Sequence, residues 1–316
     1  MKIVRAALAA LLLVSAPAFA QVGGRVLHIV VPFAAGGARE ILARTFYSEL
    51  GAALGQTAII ENKPGAGGAI GTSSVAKAAP DGQTLIFAAS SHNVTALLGA
   101  NPPYDPIRDF APVANIGMQS YVLMASASIP ARSVAELVRY AKANPGKLNY
   151  ASPGHGSSGH LAAAYFASLA GLDMVHIPFK STQDATNDVL AGRSHLVIVP
   201  NVGAVPFTKD ARIRLLGVTS LKPSPSIPGV PPIADTVRGY EFDSWFGLLA
   251  PARTPKPVID RINAEVAKLL KNPTILERLA SQGVEPRPLA PEAFGRLIRE
   301  DYEDMAKVVK SVGKVE

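Results

Sequence analysis

Three short stretches of glycine and hydroxyl residues supply the groups best suited to bind a small anion. They are residues 35–37 (Ala-Gly-Gly), 90–93 (Ser-Ser-His-Asn) and 154–158 (Gly-His-Gly-Ser-Ser). Glycine lets a backbone N–H approach a ligand closely, and the unpaired N–H groups at the start of a helix favour negative charge. Any one stretch alone is typical of a tight turn with a capped helix. Three at equivalent strand ends are also typical of a binding cleft, so both interpretations stand at this point.

The motifs of hydrolases, nucleotide-binding proteins and metalloproteins are not met by this sequence. Neither Ser157 nor Ser158 lies in G-x-S-x-G, and Ile70 stands where a dinucleotide-binding loop has its third glycine. The histidines show no H-x-x-x-H or H-E-x-x-H spacing. His155 and His160 are five positions apart, which would place them on different faces of a helix. We therefore predict no catalytic residue, no cofactor and no metal site.

The elements that must position these loops alternate between β-rich runs and helices with one apolar face. Strands are predicted at 28–33, 58–61, 84–89, 113–117, 121–125, 148–151, 174–177, 195–199, 213–219 and 244–250. Helices are predicted at 41–50, 72–78, 134–143, 157–170, 181–190, 257–270, 273–282 and 291–312. This alternation is typical of mostly parallel, doubly wound sheets. Two such series, followed by a helical tail, predict two lobes.

The amino-acid composition excludes several classes of protein. The 316 residues are enough for about two domains, and 48% hydrophobic with 17% charged residues exclude a disordered chain. The lack of cysteine excludes disulfides, iron–sulfur clusters and cysteine nucleophiles. The formal net charge is +7, but lysine and arginine are scattered without interleaved aromatic residues. Nucleic acid is therefore not an expected partner.

The first twenty residues have the form of an export signal. Lys2 and Arg5 precede an apolar run from Ala6 to Val14, and Ala18-Phe19-Ala20 is an A-x-A cleavage signature before Gln21. The run is shorter than the roughly 20 apolar residues that span a bilayer. We expect an exported protein located in the periplasm.

Collinear motifs in the rest of the chain resemble one family. Residues 31–37 (VPFAAGG) are similar to the V-P-F-P-A-G-G opening of substrate-binding proteins of tripartite tricarboxylate transporters, the Bug-type or TctC-like receptors. Residues 61–68 (ENKPGAGG) are similar to the family's E-N-R/K-P-G-A-G-G. Further matches lie at 104–106, 109–112, 148–152, 176–180 and 245–251. The resemblance covers essentially the whole chain after the signal, in order.

The resemblance implies a two-lobed periplasmic binding protein of type II, each lobe a mostly parallel sheet flanked by helices. It implies that the C-terminal helices rejoin the first lobe, so that domain 1 comprises residues 21–121 and 246–316 and domain 2 residues 122–245. The implied function is capture of a small carboxylated solute, a di- or tricarboxylate that is aliphatic or aromatic, in the cleft between the lobes. The implied partners are the two membrane subunits of a tripartite permease, and the receptor itself is expected to be a monomer.

The resemblance also implies that the glycine loop after the first strand and the 154–158 loop hold one carboxylate, partly through ordered water. The expected ligand-binding residues are Phe33, Ala35, Gly36, Gly37, Arg39, Glu40, Ser90, Ser91, His92, Gly154, His155, Gly156, Ser157, His160 and Asn201. Two positions depart from the family, which usually has P-T-D where this chain has Ala38-Arg39-Glu40, and G-N-G-S where it has residues 154–157. Arg39 adds a bidentate donor. Either the ligand carries an additional negative charge or these are changes on a solvent-facing loop.

Two other function classes fit the residues. An exported hydrolase could use Ser157 or Ser158 with His155 or His160, and a ligand-sensing adaptor for a membrane signalling receptor could use the same cleft. The hydrolase requires turnover of an ester or amide, whereas the receptor requires only stoichiometric binding.

We predict that protein taken from the periplasm of its native host begins at Gln21, because residues 1–20 contain every part of a cleavable signal. Intact-mass analysis measures this directly. A periplasmic protein that retains residues 1–20 would contradict the prediction.

Overall fold

The computed structural model describes residues 25–36, 38–99 and 101–312. The predicted export signal and Gly37 therefore lie outside the described residues. Within these ranges, no helix combines the length and the apolar character that crossing a membrane requires.

Strands and helices alternate through most of the chain. The strands are β1 Val26–Val31, β2 Thr57–Asn62, β3 Thr84–Ala89, β4 Phe110–Gln119, β5 Tyr121–Ser126, β6 Leu148–Ser152, β7 Met174–Pro178, β8 Leu196–Pro200, β9 Ile213–Val218, β10 Ser244–Pro251 and β11 Glu285–Pro286. The α-helices are α1 Ala38–Arg44, α2 Tyr47–Leu54, α3 Ala69–Ala76, α4 Ser91–Leu98, α5 Val134–Ala143, α6 Ser158–Ala170, α7 Thr182–Leu190, α8 Asn201–Ala204, α9 Lys256–Leu269, α10 Pro273–Ser281 and α11 Pro291–Val312.

The strands form two sheets, one for each lobe. Sheet A of lobe 1 has the order β11-β4-β10-β3-β1-β2, and sheet B of lobe 2 has the order β7-β6-β8-β5-β9. Strands β1, β2 and β3 are parallel, whereas β10 runs antiparallel to its neighbours β3 and β4. In sheet B, β6, β7 and β8 are parallel, and β5 runs antiparallel to β8 and β9. The prediction of mostly parallel sheets flanked by helices is confirmed.

The reversed strands β5 and β10 are the ones that enter each sheet from the other lobe. β5 follows β4 of sheet A after the single residue Ser120, and β10 is the first strand after β9 of sheet B. By strand pairing, Tyr121 belongs to lobe 2, and Ser244 and Trp245 belong to lobe 1. The first position differs from the expected domain limit by one residue and the second by two. We propose that the chain passes between the lobes at Ser120 and at Asp243.

Central strands and capped helices explain why these residues form these elements. Every residue of β10 is buried, because the strand lies between two others and helices cover both faces of the sheet. Helices α5, α6 and α7 begin after Ser133, Ser157 and Ser181, whose hydroxyls accept a backbone N–H of the first turn. The predicted loop at 90–93 is wrong in part, since α4 begins at Ser91.

The two lobes share a packed interface as well as two connections. Val94 of α4 and Met305 of α11 belong to the same buried cluster as Tyr121 and Phe166 of lobe 2. Helix α11 packs on β4 and α4 of lobe 1 and on α6 of lobe 2. The tail therefore returns to the first lobe and also contacts the second.

Replacing Gly247 by alanine should destabilise lobe 1. A Cβ at Gly247 would lie 2.7 Å from the carbonyl oxygen of Ala114 and 2.4 Å from Cζ of Phe294. Because the carbonyl belongs to the paired strand β4, the backbone must shift, and overpacking of this kind costs about 1–3 kcal/mol. Urea unfolding of Gly247→Ala measures the loss.

The control is Gly203→Ala in α8, where a Cβ would come no closer than 3.8 Å to Val199. We expect the free energy of unfolding of this variant to stay within about 0.5 kcal/mol of the parent. Equal stabilities of the two variants would contradict the packing described here.

Candidate functional site

Residues 154–157 of lobe 2 lie against the end of α4 in lobe 1, which marks where the two lobes face each other. A Cβ at Gly156 would lie 3.2 Å from Cδ1 of Leu98. Gly154 and Gly156 have φ angles of +115° and +71°, which residues with a Cβ rarely adopt. Both glycines are therefore required for the shape of the loop.

Internal hydrogen bonds use most of the polar groups of this loop. Ser157 Oγ accepts from the backbone N–H of His160 at 3.2 Å and donates to the carbonyl of Gly154 at 2.7 Å. The N–H of Gly154 donates to Ser152 Oγ at 3.1 Å, and that of Gly156 to His160 Nδ1 at 3.1 Å. Ser157 caps α6 and positions the loop, and its contact with the ligand stays a prediction.

Glu40 holds the glycine loop that follows β1. Its side chain is buried and accepts from the backbone N–H of Gly36 at 2.5 Å and from Arg44 Nε at 2.7 Å. The hydrogen bond from Gly36, followed by that from Arg44, keeps the pKa of Glu40 below its usual value. Glu40 thus positions the loop, and the Gly36 N–H expected to bind a carboxylate is already bonded to Glu40. Ala35 is exposed.

Arg39 is a partly buried cation without a counter-ion in the described chain. Its Cζ lies 4.0 Å from the centroid of the Phe33 ring, a cation–π contact. Among residues 25–36, 38–99 and 101–312, its guanidinium makes no hydrogen bond or ion pair. Burial lowers the pKa of Arg39, and its charge interacts with Tyr121. A desolvated cation of this kind is suited to an anion.

Tyr121 connects the site residues of the two lobes, and the sequence analysis missed it. It is the first residue of β5, and its buried side chain lies near the side chains of Ser158 in α6 and Ser244 in β10. Burial raises the pKa of Tyr121, and the nearby charge of Arg39 acts in the opposite direction. The only sequence signal for this role was its place at the junction of two predicted strands.

Three imidazoles converge beside this loop. The ring centroids of His160 and His176 are 4.0 Å apart and nearly parallel, and the ring of His155 lies edge-on to both at 5.5 and 4.7 Å. One ring nitrogen of each lies within 4.8 Å of the other two. His155 is exposed, His176 is half-buried and His160 is buried.

The spacing argument against a histidine cluster is therefore wrong. His155 precedes α6 in a loop that folds back over His160, so helical periodicity does not apply to the pair. His176 arrives from β7, where it pairs in register with Tyr150 of β6, and no local pattern predicts this. Burial, with a smaller contribution from neighbouring imidazoles, lowers the pKa of His160 and of His176 to about 4. Both rings are therefore neutral near pH 7.

His92 and Ser90, two of the expected ligand-binding residues, are buried in lobe 1. His92 stacks on Tyr104, and its Nε2 lies 3.0 Å from the carbonyl of Pro106. Burial lowers the pKa of His92 to about 4. Ser90 Oγ accepts from the backbone N–H of Trp245 at 3.0 Å. Both residues follow the end of a strand, but Nε2 of His92 and Oγ of Ser90 are bonded to residues distant in the sequence.

Ser91 and Phe33 remain at the carboxyl ends of the strands of sheet A. With His92 they line a cavity of about 10 Å³, enough for about one water molecule. Nδ1 of His92 is buried there without a hydrogen-bond partner in the described chain. This is the place in the described chain where a single water molecule would be stabilised.

Asn201, another expected ligand-binding residue, lies at the passage between the lobes. It is buried, and its backbone N–H donates to the carbonyl of Ser120 at 3.0 Å. The side-chain amide is oriented so that its oxygen and its nitrogen both form hydrogen bonds. Oδ1 accepts from the hydroxyls of Ser120 and Ser224, and Nδ2 donates to the carbonyls of Ser120 and Tyr121. All its polar groups are used in holding the junction.

Two larger cavities of about 430 Å³ each are lined by described residues, and the second of them lies beside the passage between the lobes. One is a groove on lobe 1 between β4, α9 and α11. The other includes Glu241, Asp243 and Glu285, and burial raises the pKa of Asp243 to about 7. Lys222 and Arg287 line the second cavity as well, so it combines acidic and basic groups.

Comparison with known proteins identifies the fold and the family. A family model described as tripartite tricarboxylate transporter family receptor matches residues 42–314. Rpa4515 of R. palustris, solved with adipate, is 34% identical; the match covers 92% of this chain and 97% of that one, with a TM-score of 0.76. MatC of Rhodopseudomonas palustris, with bound malate, is 31% identical over 90% and 99% of the two chains, with a TM-score of 0.73.

The periplasmic binding protein BugD is 32% identical over 92% of this chain and 98% of its own, with a TM-score of 0.72. These matches confirm the resemblance drawn from the motifs and the two-lobed α/β fold that it implied.

The pKa of His160 predicts how stability depends on pH. The imidazole of an unfolded chain has a pKa of about 6.5. Below that pH the unfolded chain binds a proton at residue 160, whereas His160 of the native protein stays neutral. Stability is therefore lost as pH falls from 7 to 5, and His160 accounts for about 2 kcal/mol of the loss. His160→Gln, which keeps an acceptor for Gly156, should lose correspondingly less between these pH values in urea unfolding. The same loss in both proteins would contradict the lowered pKa.

Proposed function

This chain belongs to the tripartite tricarboxylate transporter receptor family, and from that premise we propose that it captures a small di- or tricarboxylate, aliphatic or aromatic, in the cleft between its lobes. We propose further that the mature receptor acts in the periplasm as a monomer and delivers the solute to the two membrane subunits of its permease.

The observation that carries this proposal is the environment of Arg39. Its guanidinium is partly buried, stacked on Phe33 and unpaired with any acidic side chain in the described part of the chain. A planar guanidinium matches a carboxylate with two parallel hydrogen bonds, and desolvation strengthens the pair. Arg39 also lies near Tyr121, where lobe 2 begins, so a carboxylate bound to it would sit between the lobes.

A second acidic group would be favoured at the opposite wall. The thirteen-residue helix α6 begins at Ser158, and the N-terminus of a helix favours negative charge. Because Gly156 approaches Leu98 of lobe 1, this terminus lies close to the other lobe. Adipate and malate, found in the structures of two relatives, each carry two carboxylates, which supports a ligand of this class.

Several expected ligand residues act as positioning residues. Glu40 orients the glycine loop, Ser157 caps α6, and Asn201 ties the passage between the lobes. A bound anion that contacts both Arg39 and the 154–158 region would stabilise the closed arrangement of the lobes over any open one.

We propose binding without turnover. The hydroxyl of Ser157 donates to the carbonyl of Gly154, and the hydroxyl of Ser158 forms no hydrogen bond with a histidine of the described ranges. Ser152 Oγ does lie 2.6 Å from His176 Nε2, but Ser152 is fully buried. No carboxylate in the described ranges forms a hydrogen bond or an ion pair with His155, His160 or His176. The polar contacts therefore do not support the hydrolase alternative.

The direct experiment is a thermal-shift series on the mature protein with adipate, malate and matched monocarboxylates such as hexanoate. A ligand selective for the folded state raises the melting temperature by mass action. We expect the melting temperature to rise with the concentration of at least one dicarboxylate. We also expect to recover that dicarboxylate chemically unchanged from the solution. No shift with any di- or tricarboxylate, or turnover of esters or amides, would contradict the proposal.

Arg39→Ala should weaken binding of a dicarboxylate by about ten- to a hundredfold, because it removes charge-assisted hydrogen bonds worth about 1.5–3 kcal/mol. The affinity for a monocarboxylate analogue should fall far less if its single carboxylate binds at the start of α6 rather than at Arg39. Isothermal titration calorimetry measures both affinities, and Arg139→Ala, on the exposed face of α5, is the matched control. Identical losses for mono- and dicarboxylates, or an equal loss in the control, would remove Arg39 from the site.

A further inference from the structure

We infer that His155, His160 and His176 form a binding site for a divalent transition-metal ion, with Zn²⁺ as the ion best suited to it. The three residues come from a loop, the first turn of α6 and the edge strand β7, and each offers one ring nitrogen within 4.8 Å of the other two. Three imidazoles are a ligand set that zinc commonly takes. The inference does not depend on the proposed function, since the metal would bind whether or not a carboxylate is present.

Protons do not compete with a metal ion for His160 and His176 near pH 7. A metal ion binds only the neutral imidazole, and the burial described above keeps His160 and His176 neutral. No acidic side chain in the described ranges pairs with any of the three rings. His155 makes no hydrogen bond to a described residue and is exposed, so an ion can enter from solvent on its side.

A hydrogen bond already orients one ring in the manner of a metal ligand. Nε2 of His176 lies 2.6 Å from Ser152 Oγ, and Ser152 also bonds the backbone of Gly154. Histidines that bind metals usually have their second nitrogen held in this way, which leaves the first nitrogen, here Nδ1, directed at the ion.

Two adjustments accompany binding, and the glycine loop permits the second. An ion lies in the plane of each ring that binds it, so the stacked rings of His160 and His176 must tilt apart to share one. The Nδ1 lone pair of His160 accepts the Gly156 N–H, and the ion must displace that donor. Gly154 and Gly156, both at positive φ, give the loop the conformational freedom to move.

The test is calorimetric titration of Zn²⁺ into the mature chain, freed of metals by chelator and carrying no histidine tag, in a buffer that does not bind zinc at pH 7.5. We expect one ion per chain with a dissociation constant in the micromolar range or below. His155→Ala and His176→Ala should each weaken binding at least tenfold. His28→Gln is the control, because His28 lies in β1 of lobe 1 and is bonded to Glu61.

His155 is exposed, so its variant should fold, and a thermal melt without metal verifies this. Titration with Co²⁺ supplies a second measurement, since nitrogen ligands in tetrahedral geometry give intense visible absorption, which His155→Ala should lose. Absence of saturable Zn²⁺ binding, unchanged affinity in His155→Ala, or an equal loss in His28→Gln would each overturn the inference. Adipate binding measured in excess chelator tests the proposed function separately.

Discussion

The Arg39 guanidinium is partly withdrawn from water and has no acidic partner among residues 25–36, 38–99 and 101–312. Removing a cation from water costs free energy unless an opposite charge compensates it. The Phe33 ring beneath it offsets only part of this cost, because a cation–π contact contributes about 0.5–2 kcal/mol. A bound carboxylate would supply the missing charge at the point where the chain enters the second lobe. Much of the surrounding structure serves to hold Arg39 in that position.

Three features place Arg39 there. Glu40, bonded to Gly36 and Arg44, fixes the start of α1 against the loop after β1. Tyr121, whose buried side chain lies near Ser158 and Ser244, marks the place where the first residues of β5, α6 and β10 meet. Strands β5 and β10 run against their sheets because each arrives directly from the other lobe, and an antiparallel neighbour needs no crossover helix. The binding chemistry thus lies where the two sheets exchange strands.

The sequence predicted the elements well because their signals are local. Strand 84–89 and helix 134–143 have the predicted limits, since an apolar run and a cap at Ser133 mark them. The site was harder to predict because its contacts are long-range. Nε2 of His92 and the side-chain amide of Asn201 are bonded to residues distant in the sequence, such as Pro106 and Ser224. His176 reaches His160 only through the pairing of β6 with β7, which no spacing rule detects.

A crystal structure of the mature protein grown with adipate tests the role of Arg39 most directly. If a carboxylate compensates the buried guanidinium, one end of adipate should lie between the lobes with two oxygens about 2.7–2.9 Å from the Arg39 nitrogens. The other end should lie near the start of α6. Adipate bound away from Arg39, or an Arg39 side chain turned into bulk solvent while the cleft is occupied, would contradict this role.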